Sequence, residues 1–273
     1  MSLLEDIVLG IAQGLTEFLP ISSTAHLRIL PAFFGWEDPG AAFTAVTQLG
    51  TMMAVVIFFW GDLVRIGSAW LRSLRDPSLR GELDARLGWY ILIGTIPISI
   101  FGVAFKDQIE TSARDLYLIG TTLIVLGLIL FVADRVGRRE RKVEQITTRD
   151  GLIIGGAQAL ALVPGVSRSG ATITAGLFLG LEREAAARFS FLLSVPAVVL
   201  SGLFELPSVL DDDRGGAGVP GLVVATVTAF IVGYATIAFL LRYLVNHSLT
   251  IFVVYRVALG VIVLVLVSAG AIA

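Results

Sequence analysis

The chain has 273 residues, of which 56% are hydrophobic and only 15% charged, with a net charge of −2 and no cysteine. A soluble domain is about 25% charged, so this composition, with a mean hydropathy of +0.86, excludes an ordinary soluble enzyme and points to a membrane protein. The near-zero charge gives no sign of a nucleic-acid partner, and the lack of cysteine excludes disulfides, thiolate metal sites and cysteine nucleophiles.

The N-terminus, MSLLEDIVLG, carries acidic Glu5 and Asp6 where a signal peptide needs a basic region, so no cleaved signal is expected. Two pieces follow, 3–19 and 24–34, each too short and too polar to span, with Pro20 between them. A re-entrant helix–break–helix hairpin fits. Apolar runs at 41–60, 86–104 and 116–133 are each near the ~20 residues needed to cross the hydrocarbon core. A second interrupted segment, 150–181, breaks at Pro164–Gly165, and runs at 186–204, 219–241 and 250–269 complete the chain. The expected fold is an all-α polytopic membrane protein with six transmembrane helices and two re-entrant helix hairpins.

Loop charge gives the orientation. Arg65, Arg72, Arg75, Arg80 and Arg86 lie between the first two spans, and RVGRRERK (135–142) with Arg149 follows the third. Cytoplasmic loops collect Lys and Arg, so both are expected inside, as is RYLVNHS (242–248). The acidic, Gly-rich stretch 207–221 is expected outside. The first hairpin then opens outward and the second inward. Laid side by side, GIAQGLTEFLPISSTAH (10–26) and GGAQALALVPGVSRSGAT (155–172) share Gly-x-Ala-Gln-x-Leu, a proline and a hydroxyl cluster. The chain therefore reads as one membrane domain, 1–273, made of two repeats, about 1–134 and 150–273, joined by a basic cytoplasmic linker, 135–149. Three spans per half is odd, so the second repeat is inverted, an arrangement that puts broken helices near the membrane midplane.

Non-helical backbone is tolerated at membrane depth only where it is buried in protein or lines a wet cavity. Two opposed breaks therefore imply a shared polar pocket. Gln13 and Glu17 are four apart and share a helix face. An intramembrane Glu marks a functional site by default, as a hard-cation ligand or an acid/base; capping the next helix or pairing with an arginine is its structural alternative. Ser22, Ser23 and Thr24 suit an N-cap, but three hydroxyls exceed what a cap needs. His26 lies one turn past Ser23, the kind of pairing that activates a hydroxyl nucleophile. In the second hairpin Arg168 sits between Ser167 and Ser169, with Thr172 one turn on. Free N–H groups at a helix start and an arginine fork suit phosphate oxygens; neutralising Glu17 is the compatible structural role for Arg168. A phosphate at membrane depth must be carried on a lipid.

At these residues the sequence resembles the undecaprenyl-pyrophosphate phosphatase family, also known as bacitracin-resistance proteins. QGLTEFLPISSTAH and PGVSRSGAT match its two motifs, and the resemblance extends through QLGTMMAVVIFFW (48–60), RFSFLLSVP (188–196) and Tyr255–Arg256. It implies hydrolysis of undecaprenyl pyrophosphate to undecaprenyl phosphate and inorganic phosphate, recycling the carrier for cell-wall glycans such as peptidoglycan. The reaction would run at the outer face of the bacterial cytoplasmic membrane with Mg²⁺ or Ca²⁺. By motif position Glu17 is the acid/base or metal carboxylate, Ser23 or His26 acts in attack, and Arg168 and Thr172 hold the phosphates. Gln13, Ser22, Thr24, Ser167 and Ser169 complete the substrate-binding set. Gln13 takes a position that is Glu in many members, which weakens any mechanism needing two carboxylates, and Ala25 stands where glycine is common. Either Ser23 attacks with its proton taken by His26, or His26 or Glu17 activates water.

The competing class is an inverted-repeat carrier or flippase of polyprenyl phosphate, which would need neither nucleophile nor base; a scaffold fails on the cost of the intramembrane polar groups. Membrane lipids are the expected surroundings, and a homodimer is neither required nor excluded. Arg28 is balanced between phosphate contact and the outer surface. Arg256, inside the last span, reads as snorkelling to the interface. His247 needs no functional account.

Overall fold

The computed structural model describes residues 1–105, 115–211 and 218–272. Among these the chain is helical throughout, with eleven α-helices and no sheet. In chain order they are α1 (Leu3–Phe18), α2 (Ser23–Phe34), α3 (Gly40–Phe58), α4 (Trp60–Arg75), α5 (Leu83–Ala104), α6 (Leu116–Val136), α7 (Thr148–Ala159), α8 (Arg168–Phe178), α9 (Arg183–Asp211), α10 (Gly218–Asn246) and α11 (Thr250–Ser268). Each predicted span has its helix. Of these, α5, α6, α10 and α11 are individually long and apolar enough to cross a membrane, and a fifth candidate runs through α3 and α4.

Local chemistry sets the boundaries. Ser2 and Glu5 form a reciprocal capping box at the start of α1, which accounts for the early acidic residue. The helix stops at Leu19, which is extended (ψ 143), as the residue before a proline prefers. Helices α1 and α2 are the two arms of the first predicted hairpin. The second comprises α7, a 3₁₀ turn over Leu160–Leu162, the break at Pro164–Gly165, and α8.

Two elements differ from the sequence reading. The stretch after the first span, read as a basic loop, folds as α4, which departs from α3 at a 75° bend. Its arginines hid a 3.6-residue period: Ile66, Ala69 and Ser73 are buried on one face while Arg65, Arg72 and Arg75 are exposed on the other. The predicted external loop 207–221 is helical at both ends, through Asp211 and from Gly218, and its middle lies outside the described residues.

The halves interlock. Helix α1 packs on α10, the second long helix of the other half, and α7 packs on α5, its counterpart in the first. Helix α6 packs on α11, and α3 on α9. Both hairpin contacts depend on glycine. A Cβ at Gly10 would stand 2.5 Å from the Ala225 carbonyl oxygen, and one at Gly155 would stand 2.3 Å from the Gly94 Cα. The two backbones touch with no side chain between them, the small-residue packing that membrane helices use.

Gly155→Val should therefore force α7 off α5 and cost about 1–3 kcal/mol, the usual range for overpacking. Gly156→Ala, which points into open space, should cost little. Thermal unfolding in detergent would compare them; equal melting temperatures would contradict the contact.

Candidate active site

Both hairpin breaks end in a serine with an unusual backbone. Ser22 (φ 75, ψ 104) caps α2 and Ser167 (φ 70, ψ 116) caps α8. With Arg139 they are the non-glycine residues of positive φ among the described residues. Such conformations are strained for a side chain with a Cβ and tend to cluster at functional sites. Each serine hydroxyl accepts from the amide three residues on, Ala25 or Gly170, a normal N-cap bond. The first-turn N–H groups beyond them have no partner within their own helix, so each break presents an anion-binding end.

The breaks meet at Glu17. Its Oε1 accepts from Arg168 Nη2, joining the two motifs in one ion pair, and both side chains are mostly buried. Its Oε2 accepts from the Ser23 hydroxyl at 2.7 Å and from Gln13 Nε2 at 3.1 Å. That last bond fixes the amide orientation, because a carboxylate only accepts. Gln13 Oε1 is left buried with no partner. Ser169 ties the breaks together again by donating to the Leu19 carbonyl at 3.1 Å. Thr24 is exposed and Ser23 and Arg168 are partly so, so the group opens on this side.

Glu17, Ser23, Gln13 and Arg168 are thus brought together as expected. Ser22 and Thr24 hydroxyls lie 3.2 Å apart beside them, as do those of Ser167 and Ser169. Two residues are placed otherwise. Thr172 is fully buried and uses its hydroxyl on the Arg168 carbonyl (2.8 Å) and on Ser190 of α9 (2.5 Å), so it braces α8 instead of facing the opening. His26 does not pair with Ser23. Its Nδ1 lies 2.7 Å from the Ser22 carbonyl and its Nε2 2.8 Å from the Tyr255 hydroxyl. The group beside the Ser23 hydroxyl is Glu17.

Arg256 is a correction to the sequence reading. It does not snorkel; it is wholly buried. Its guanidinium donates to the carbonyls of Pro20 (3.1 Å), Leu123 (3.0 Å), Gly165 (3.1 Å) and Val166 (3.2 Å), with Thr122 at 3.5 Å. Pro20 belongs to the first break and Gly165 and Val166 to the second, so one side chain holds both. The signal was available in the sequence. Breaking two helices in an apolar chain frees carbonyls that need donors, and Arg256 is an arginine inside an apolar span with no acid nearby in sequence. Arg28 faces Asp38 at 3.5 Å.

The bacitracin resistance protein BacA family model matches residues 6–262. The chain belongs to the BacA family. It is 58% identical over 270 residues to the undecaprenyl-diphosphatase of a Nocardioides species, covering 99% of this chain and 98% of that protein. It is 56% identical over 275 residues to the protein of that name from Mycolicibacterium smegmatis, covering 100% and 99%. The Thermobifida fusca protein of that name is 52% identical over 270 residues, covering 99% and 92%. Within this BacA chain, Arg256→Leu should cost on the order of 3 kcal/mol or more, because it strips donors from several buried carbonyls at once. Thermal unfolding in detergent would show it, and a wild-type melting temperature would contradict the clamp.

Proposed function

We propose that this chain is an integral membrane phosphatase that hydrolyses undecaprenyl pyrophosphate to undecaprenyl phosphate and inorganic phosphate. The observation that carries the mechanism is the Ser23 hydroxyl donating to Glu17 at 2.7 Å, beside the arginine of the other hairpin. The full-length likeness to relatives named undecaprenyl-diphosphatase supports the substrate, and nothing observed favours a carrier.

Phosphoryl transfer depends mostly on positioning and on neutralising charge. Arg168 is held by Glu17. An entering pyrophosphate offers the guanidinium a bidentate partner, and drawing Arg168 towards it frees Glu17 Oε1. Ser23 Oγ attacks the terminal phosphorus while its proton passes to Glu17. The anhydride P–O bond breaks, undecaprenyl phosphate leaves, and Glu17 passes the proton to it. Water then attacks the phosphoserine, giving a proton to Glu17, which returns it to Ser23 Oγ as phosphate departs. The first-turn N–H groups of α2 and α8 lie ready for the phosphate oxygens. His26 fixes the turn that presents Ser23.

A divalent cation fits this donor set in one form. No three His, Asp or Glu side chains cluster among the described residues, so an all-protein cage is not the reading. Magnesium is commonly held by one or two carboxylates plus substrate phosphates. Here Glu17 and the orphaned Gln13 Oε1 would hold Mg²⁺ or Ca²⁺ together with the pyrophosphate. The ion would supply charge neutralisation at the phosphate oxygens.

The same proposal includes the topology: six crossings, two re-entrant hairpins, inverted halves and a site open to the outer face of the cytoplasmic membrane. In support, Ser22 and Ser167, Gln13 and Gln158, and Gly10 and Gly155 recur at one spacing in equivalent positions. Basic loop residues supply the orientation. All the groups named come from one chain, so the reaction does not depend on a homodimer.

The test is phosphate release from a polyprenyl pyrophosphate in detergent, with Mg²⁺, with Ca²⁺ and with chelator. Glu17→Gln, Ser23→Ala and Arg168→Ala, each checked for folding, should lose about 10²-fold or more in kcat. Rapid quenching should trap phosphate on Ser23. Release by folded Ser23→Ala at the wild-type rate would remove the covalent step, and no release by folded wild type would remove the phosphatase reading.

A further inference from the structure

The sequence gives Tyr255 no role, and the mechanism above does not use it. It lies on α11 immediately before Arg256, with its ring 45% exposed on the side of α11 that also exposes Ile251, Val254 and Ile262. Its hydroxyl nonetheless reaches inward to the His26 Nε2, at 2.8 Å, with the two ring planes nearly parallel.

The partners fix the protons. The Ser22 carbonyl can only accept, so His26 Nδ1 carries hydrogen and donates to it at 2.7 Å. The neutral imidazole then has a lone pair on Nε2, and the Tyr255 hydroxyl donates to it. The result is a directed chain: Tyr255 O–H to His26 Nε2, His26 Nδ1–H to Ser22 O. Ser22 is the strained N-cap (φ 75) that precedes Ser23. Hydrogen bonds in such chains polarise and strengthen one another, so the phenol tightens the bond that holds the turn.

The second break provides a comparison inside the same molecule. Ser167 adopts nearly the same strained conformation (φ 70), yet Ala171 stands where His26 stands in the first hairpin. There Arg256 holds two consecutive carbonyls, Gly165 and Val166, whereas in the first break it holds Pro20 alone. The first turn therefore has a support that the second does without, and it is the turn that carries Ser23.

We propose that Tyr255 is a positioning residue of the site, acting through His26 on the Ser22–Ser23 turn to keep the Ser23 hydroxyl on Glu17. The role rests on the phosphatase reading above. Tyr255 touches neither Glu17 nor Ser23, so its contribution is to orientation, and small misplacements of a reacting group are costly.

A double-mutant cycle in phosphate release tests it, using Tyr255→Phe, His26→Ala and the pair. Tyr255→Phe keeps the ring packing and should lower kcat roughly tenfold or more, with KM within about twofold. In the His26→Ala background the same change should have no further effect, since contacts that act as one unit are non-additive. Tyr117→Phe, on an exposed phenol of α6, should leave kcat unchanged. Equal losses from Tyr255→Phe in both backgrounds, or none in either, would overturn the proposal.

A second measurement needs no turnover. With ¹⁵N-labelled histidine in bilayers, and His247→Gln to assign the two imidazoles, wild-type His26 should show a protonated Nδ1 and a hydrogen-bonded Nε2. Tyr255→Phe should move the Nε2 resonance towards that of a free lone pair; an unmoved resonance would also overturn the assignment. If wild type releases no phosphate, the phosphatase reading falls and takes the positioning role with it, and the resonance then reports the hydrogen bond alone.

Discussion

Everything in the site hangs on carbonyl groups that a break in a helix sets free. A helix interrupted inside protein leaves C=O groups that no longer reach an amide four residues on, and each is expensive to bury bare. In this chain one cation answers for both interruptions. Arg256 has no carboxylate partner among the described residues, and its guanidinium is spent on backbone oxygens from both breaks and from α6. The planar fork, with donors in fixed directions, is what allows one side chain to address three segments; a lysine ammonium could not span them. The relative position of the two motifs follows from that fork.

The chemistry is assembled on top of this frame by charge. Glu17 and Arg168 are each costly to bury alone, and each is the other's compensation. The pair is also asymmetric in a useful way, because the arginine has a better partner in a pyrophosphate than in a single carboxylate. The two hairpins contribute unlike side chains to the cluster: Glu17, Gln13 and Ser23 from the first, Arg168 from the second. At the spacing that aligns the two motifs, Leu162 falls opposite Glu17 and Ala171 opposite His26, so the second hairpin lacks both groups.

The helices were legible because apolar runs of about 20 residues have few other uses, and the two breaks because proline interrupts a helix. Helix α4 was not, since its arginines dominated the composition while its three buried residues set the period. The membership of the site was legible from residue type: an intramembrane Glu, an Arg among serines and glycines. Its wiring was not. Spacing along a helix put His26 one turn from Ser23, but side-chain direction is decided by what else competes for the ring, and here a carbonyl and a phenol 229 residues away won. Arg256 points inward and does not snorkel because the acceptors that hold it are carbonyls freed by breaks far away in sequence.

Tyr255 and Arg256 both lie on α11, the last helix in the chain. During synthesis the residues of both motifs are made long before them. Until α11 has entered the membrane and packed on α6, the Pro20, Gly165 and Val166 carbonyls lack their donor and the His26 ring lacks its anchor. Both motifs are therefore made before the side chains that brace them, as an arch stands open until its keystone is set. A chain cut ahead of residue 255 would carry both motifs and their Glu17–Arg168 pair but lack the donors that hold the freed carbonyls and the His26 ring.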